Sequence, residues 1–267
     1  MIPRIAIPLP ISTDHAYNRL NFSAYADAVR ACGAEPVEFA LDLSSREAAG
    51  LANSCQAILL PGSPADVDPA YYGQARDEAT APADPAREAI DRLLLEDAWV
   101  LRKPVLGICF GIQSLNVFRA GTLIQDIAVI PVNHAAGRSV AIAHTVSVAP
   151  GSLLASVVDA NEAAMVDGYL RLPVNSSHHQ AVGIAGFDLS VSARCPQDAV
   201  VEAVEGAYSA EDEMRHFVLG VQWHPERTFH SSATSRALFS RLIEEAVNWR
   251  AGEAGSVLSV FSVLGIN

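Results

Sequence analysis

The stretch Val105-Leu106-Gly107-Ile108-Cys109-Phe110-Gly111 opens as a continuous apolar run and ends at a cysteine with a glycine two residues to either side. An unbroken apolar run of this length suits a strand buried on both faces. Beyond it, Ile112, Leu115 and Phe118 recur at helical spacing through residues 111–119. A buried strand that passes through a tight turn into a helix is the unit of alternating α/β chains, whose parallel strands are covered by helices on both faces.

The same alternation runs back toward the N-terminus. Residues 4–8 suit a first strand, and residues 21–31 place Phe22, Tyr25, Ala26 and Val29 on one helical face, followed by Gly33 in C-cap position. Residues 37–40 read as a second strand, and Ser44 with Glu47 has the spacing of a capping box opening another helix. Residues 57–60 form a third buried run, ended by Pro61-Gly62-Ser63-Pro64. A polar loop over 65–83 leads to Asp84-Pro85, an N-cap followed by proline in the first helical position. That helix runs to about residue 101, with Ile90, Leu93, Leu94 and Leu101 on its apolar face.

Toward the C-terminus the pattern changes. Val140, Ile142, Val146 and Val148 alternate with smaller or polar residues, and strand-like pieces follow at 169–174, 189–193 and 200–204. These read as antiparallel strands added to the sheet. Residues 217–223 are again a buried-type strand, and 231–249 a closing helix. A single domain is expected over residues 1–250, with 251–267 a tail to which no role attaches.

Composition narrows the function. The 267-residue chain is 50% hydrophobic and carries 18 basic against 30 acidic residues, a net charge of −12. Its basic residues are scattered Arg and the single Lys103, so no basic stripe exists to meet nucleic acid or an anionic membrane. No apolar stretch reaches the ~20 residues of a membrane span, and no signal-peptide pattern opens the chain, so a cytoplasmic setting is expected. Cys32, Cys55, Cys109 and Cys195 match neither a zinc spacing nor a redox pair, and chains this poor in cysteine rarely rest on disulfides.

Among these cysteines Cys109 alone has a chemical setting. A nucleophile on a strained strand-to-helix turn needs small neighbours, which Gly107 and Gly111 supply. Partial positive charge at a helix N-terminus also favours a thiolate over a thiol. Alone, Cys109 reads equally as a small buried hydrophobe. A thiol nucleophile needs a base, and Gly220-Val221-Gln222-Trp223-His224-Pro225-Glu226 places His224 at the end of a buried strand, on the sheet edge where open α/β folds bind ligands. Glu226, two residues on across Pro225, can orient that imidazole. A lone His at a strand end is usually a surface or capping residue; the coincidence of both signals at one sheet edge makes a Cys109–His224–Glu226 triad the better reading.

These residues resemble a known family. Pro61-Gly62-Ser63, the run from Gly107 to Gln113, Gly121-Thr122-Leu123-Ile124-Gln125-Asp126 and His224-Pro225-Glu226 are similar to motifs of the class I glutamine amidotransferase superfamily. The 122–126 segment, Asn175-Ser176-Ser177-His178-His179-Gln180 and the Trp223-His224-Pro225-Glu226 run look most like its gamma-glutamyl-gamma-aminobutyrate hydrolase branch. The resemblance, together with the strand–helix alternation, implies an α/β, flavodoxin-like three-layer sandwich with a mostly parallel central sheet, helices on both faces and an added antiparallel region.

It further implies that Cys109 is the nucleophile, His224 the general base and then acid, and Glu226 its orienting carboxylate. Backbone N–H groups of Phe110, Gly62 and Ser63 would form the oxyanion hole. Gln113, otherwise readable as a solvated helix residue, would contact the glutamyl group, and Asn175, Ser176, His178 and His179 would bind substrate. No cofactor is implied. A metal is not expected, because His178 and His179 would point apart on extended chain with no carboxylate nearby.

Ser63, Phe110 and Ala120 depart from the family pattern, which usually has Gly, often Arg, and Gly there; Ser63 would be strained if that position needs positive φ. The expected partners are a small gamma-glutamyl amide, such as gamma-glutamyl-gamma-aminobutyrate in putrescine breakdown, and water. The leaving amine would be chosen by the 65–83 loop and the segment around His134. A homodimer is expected only as the commonest state of such enzymes. Two other readings stand beside this one: a glutaminase subunit feeding ammonia to a partner synthase, and a non-catalytic gamma-glutamyl binder.

Overall fold

The computed structural model describes residues 2–127, 131–207 and 216–249; the 251–267 tail lies outside them. The first half alternates as its sequence pattern requires: β1 (Arg4–Pro8), α1 (His15–Ala31), β2 (Glu35–Phe39), α2 (Ser45–Ala52), β3 (Ala57–Leu60), α3 (Pro85–Leu101), β4 (Val105–Ile108) and α4 (Phe110–Phe118). The second half supplies β5 (Leu123–Ile124), β6 (His144–Val148), β7 (Ala164–Val166), β8 (Tyr169–Val174), β9 (Ala181–Val182), β10 (Leu189–Arg194), β11 (Val201–Gly206) and β12 (Val218–Val221). The short α5 (Pro225–Thr228) and the long α6 (Ala233–Asn248) follow.

The strands join in the order β2-β1-β3-β4-β12-β11-β10-β6-β8-β7, with β9 pairing β11 and β5. The β2-to-β12 half is parallel, and β11, β10, β6, β8 and β7 extend it antiparallel. Side chains alternate between two cores along each parallel strand. Ile5, Ile7, Ala57, Leu59, Leu106 and Ile108 pack on the face covered by α1 and α6, with Tyr25, Val29, Leu238 and Leu242. Ala6, Ile58, Leu60 and Val105 pack on the opposite face, with Ala48, Ile90, Leu94 and Leu115 of α2, α3 and α4. The result is the expected three-layer α/β fold.

Boundaries differ from expectation where the sequence signal is polar. α1 starts at His15, six residues before the apolar stripe, because the Asp14 carboxylate caps Tyr17 N at 2.8 Å. Its first turns bury Asn18 and Asn21 instead of apolar side chains, and Asn18 bonds Ile11 N and O at 3.1 and 2.6 Å. The alternation through 140–148 becomes strand only from His144; Ile142 stands 66% exposed outside it. The Ser44–Glu47 capping box and the Asp84 N-cap form as expected.

Register fixes the place of the chemistry. Leu60 lies opposite Gly107, and Ile108 opposite Val221. The segments leaving the carboxyl ends of β3, β4 and β12 therefore emerge side by side, bringing Gly62, Cys109 and His224 to one edge of the sheet.

Candidate active site

Cys109 occupies the N-cap of α4 with φ 53° and ψ −105°, left-handed backbone that an L-residue enters only under constraint. Its N–H donates to Val221 O at 2.9 Å. The glycines on either side are required by contact. A Cβ on Gly107 would stand 2.7 Å from Gly111 O, and one on Gly111 would stand 2.2 Å from Leu60 O. The turn can be this tight only because both neighbours lack side chains.

His224 is clamped through its backbone: its N–H donates to Asn175 Oδ1 and its carbonyl accepts from Asn175 Nδ2, both at 2.8 Å. Pro225 opens α5, so His224 and Glu226 meet around a helix N-terminus and not along extended chain. The imidazole Nδ1 lies 2.8 Å from Glu226 Oε1. Gly62 lies against both His224 and Cys109: a Cβ there would lie 3.1 Å from His224 Cε1 and 3.5 Å from Cys109 Cβ. His224 Nε2 is buried without another hydrogen-bond partner. Burial pulls the His224 imidazolium down, but Glu226 and a Cys109 thiolate outweigh it and raise its pKa to about 9. For Glu226, burial works upward, and the His224 and Arg227 charges hold the carboxyl below its ordinary range. Burial raises the Cys32 and Cys55 thiols and takes Cys195 to about 11.

Residues 10–226 match the family model described as peptidase C26. The chain belongs to the peptidase C26 family. Gamma-glutamyl-gamma-aminobutyrate hydrolase of Escherichia coli is 34% identical over 195 residues, covering 70% of each chain. A Mycobacterium tuberculosis protein named provisionally as a glutamine amidotransferase is 38% identical over 196 residues, 73% of this chain. This chain spans only 56% of that relative's length. Among solved structures, a provisionally assigned GMP synthase component from Thermoplasma acidophilum superposes with a TM-score of 0.61 at 13% identity, covering 95% of this chain and 98% of that one, a likeness of fold alone. Peptidase C26 is a class I glutamine amidotransferase-like family of hydrolases.

Within this C26 chain the remaining expected site residues divide sharply. Phe110 opens α4, whose first-turn N–H groups have no intrahelical acceptor. Gly62 differs from its expected role as an oxyanion donor: its N–H already donates to Tyr25 Oη at 3.1 Å. Ser63 has no positive φ, so the expected strain there does not arise. Ala120 does, with φ 62°, which explains the glycine usual at that position.

Gln113 is 4% exposed, which removes the solvated reading; its Nε2 donates to Gln180 O at 3.1 Å and Gln222 Oε1 at 3.3 Å. Asn175 uses both side-chain polar atoms on His224, and the Ser176 hydroxyl donates to His134 O at 2.6 Å. Neither therefore offers its side chain to a ligand as expected; both position the loop. His178 and His179 do point apart, but each meets carboxylates from elsewhere in the chain. His178 Nε2 lies 3.8 Å from Glu202, and His179 lies 3.1 Å from Asp66 and 3.3 Å from Asp126. The bond to Asp66 raises His179 to about 9 against its partial burial. The expectation of histidines without nearby carboxylates is thus overturned by tertiary contacts.

Three supporting residues are not evident from the sequence alone. Tyr25 sits in the core stripe, yet its hydroxyl holds Gly62. Arg87 is fully buried: Nε pairs with Asp91 at 2.7 Å, Nη2 donates to Pro61 O at 2.7 Å, and the guanidinium lies 4.9 Å from the Phe110 ring centroid. It ties the 61–63 turn to the start of α4. Its signal in the sequence is a pair of charges, 87 and 91, on the apolar face of α3. Arg227, 3.5 Å from Glu226, follows the motif by one residue and leaves no separate signal.

Proposed function

We propose that this chain is a cysteine hydrolase cleaving the gamma-glutamyl amide bond of a small gamma-glutamyl amine, gamma-glutamyl-gamma-aminobutyrate being the model substrate. The observation that carries the reading is the His224–Glu226 pair at 2.8 Å beside the strained Cys109 turn, in a family that includes such a hydrolase.

With His224 raised to about 9, the imidazole holds a proton at neutral pH, and the Cys109 sulfur acts as the nucleophile. The thiolate attacks the side-chain amide carbonyl, and the carbonyl π electrons move to oxygen. In this reading the backbone N–H groups of Phe110 and Ser63 stabilise that oxyanion, each such donor contributing roughly 3 kcal/mol. Collapse expels the amine, which takes its proton from His224, and leaves a gamma-glutamyl thioester on Cys109. Acylation removes the thiolate charge that helped raise His224, so the imidazole can now accept a proton from water. The attack of that water releases glutamate and restores the thiolate–imidazolium pair.

The test is mass-spectrometric assay of wild type and Cys109→Ala on a panel of gamma-glutamyl amides that includes glutamine. Glutamate release from gamma-glutamyl amines by wild type alone supports the reading. Turnover confined to glutamine favours an ammonia-supplying glutaminase, and absence of glutamate from every amide with Cys109 reduced refutes hydrolysis.

A further inference from the structure

Behind the 175–180 loop four side chains converge that the hydrolytic reaction does not use. His134, His144, His178 and Glu202 come from the 131–143 segment, the start of β6, the β8–β9 loop and β11, and all are buried, Glu202 completely. One ligand atom of each lies within 4.8 Å of every other. Glu202 Oε1 stands 3.1 Å from His134 Nδ1, 3.4 Å from His144 Nε2 and 3.8 Å from His178 Nε2. None of these atoms has an aligned hydrogen-bond partner, nor has Glu202 Oε2. A fully buried carboxylate with both oxygens unpartnered is costly unless a cation meets it.

The outward nitrogens are all engaged. His134 Nε2 lies 2.8 Å from Asp198 Oδ2, His178 Nδ1 2.9 Å from Gln180 O, and His144 Nδ1 3.2 Å from Thr145 O. A neutral imidazole whose N–H serves an outward acceptor turns a lone pair inward, the arrangement by which carboxylates and carbonyls orient metal-bound histidines. Four ligand atoms about 2.0–2.1 Å from one ion would stand about 3.3 Å apart at tetrahedral angles. The observed spacings bracket that value.

We propose that His134 Nδ1, His144 Nε2, His178 Nε2 and Glu202 Oε1 bind one divalent transition ion of the zinc class. Three imidazoles and one carboxylate select such an ion over Mg²⁺ or Ca²⁺, which take oxygen-rich shells. Four protein ligands in a buried setting make the site closed and structural. The ion pins the 134 and 178 segments, which also bond each other through His178 N to His134 O at 3.0 Å, against β6 and β11. The adjacent cluster of His134, Cys195 and Asp198 offers only three donors, and the Cys195 thiol is engaged with Gln197 Oε1 at 3.1 Å. The proposal does not depend on which amide the enzyme cleaves.

The test uses the full chain as Cys109→Ala, which removes the triad sulfur as a competing ligand. The protein is stripped with dipicolinate and titrated with ZnCl2, CoCl2 or MgCl2. One equivalent of Zn²⁺ is expected to bind and raise the melting temperature by roughly 10 °C. Mg²⁺ should do neither. Co²⁺ should give tetrahedral d–d bands without a sulfur charge-transfer band, and Zn²⁺ should restore hydrogen-exchange protection at His178 and Gly137. Glu202→Gln and His144→Asn should lose stoichiometric binding, whereas Cys195→Ser keeps it. No binding by the stripped protein, a sulfur ligand in the Co²⁺ spectrum, or loss in Cys195→Ser with retention in Glu202→Gln would overturn the proposal. The Co²⁺ spectrum decides even if the ligand variants fail to fold.

Discussion

Replacing Glu226 by Gln preserves the shape of the site and removes one charge, which isolates what the carboxylate does for His224. In wild type the imidazolium persists to about 9 instead of the ordinary 6.5, a preference worth ~3 kcal/mol. Burial acts against that preference, so the raising charges together supply more than the net figure, and Glu226 is the first of them. A raised folded-state pKa contributes its stabilisation fully below 6.5 and loses it as pH rises through about 9. The wild-type pH profile of kcat/KM should therefore fall away near pH 9, where the proton needed by the leaving amine is lost. In Glu226→Gln that limb should move down into or below the ordinary histidine range. At pH 8 the loss should be roughly 10²–10³-fold, the scale of general acid–base catalysis. The assay is initial-rate glutamate release across pH 5–10, with circular dichroism to confirm the fold. A limb still near pH 9 in the variant, or a rate within a few-fold of wild type, would refute the reasoning.

Three further outcomes follow from the packing. Ala120→Gly should stabilise the fold by ~1 kcal/mol, because Ala120 holds φ 62° and only glycine enters that region freely; thermal denaturation that shows no gain contradicts this. Arg87→Met should destabilise by ~3–5 kcal/mol by leaving Asp91 uncompensated in the core. Adding Asp91→Leu should restore most stability but not activity, since the hydrogen bond to Pro61 O stays broken; urea denaturation and the glutamate assay read the two separately. Glu162 caps α6 through Ser232 Oγ, Ala233 N and Thr234 N at 2.6–2.8 Å. Those bonds hold its carboxyl down to about 2 against partial burial, so Glu162→Ala should lower the melting temperature at pH 7. The difference should shrink as pH falls from 4.5 toward 2, and a difference that persists there would show that the charge is not responsible.

What can be read in the sequence follows from how local each signal is. β1, β3 and β4 announce themselves as apolar runs, and α3 by Asp84-Pro85, because these features depend only on neighbours in the chain. The glycines around Cys109 are legible for the same reason: the clash between Gly107 and Gly111 lies within one turn. The roles of Asn175 and Ser176 are not, since a polar cluster looks alike whether it faces a ligand or clamps a backbone 49 residues away. Tyr25 looks like one more core position until Gly62, 37 residues on, meets its hydroxyl. His134, His144, His178 and Glu202 carry no spacing that joins them; only the β6–β10–β11 pairing and the return of the β8–β9 loop bring them together.

The central claim is that bond cleavage passes through sulfur at Cys109. Its most direct test is acid quenching of wild type during turnover of a gamma-glutamyl amide, followed by intact and peptide mass spectrometry. The predicted result is a gamma-glutamyl increment on the Cys109 peptide, discharged when the quenched protein is treated with hydroxylamine and absent from Cys109→Ser. Glutamate release that continues undiminished in Cys109→Ala, with no adduct on Cys109 in wild type, would contradict it.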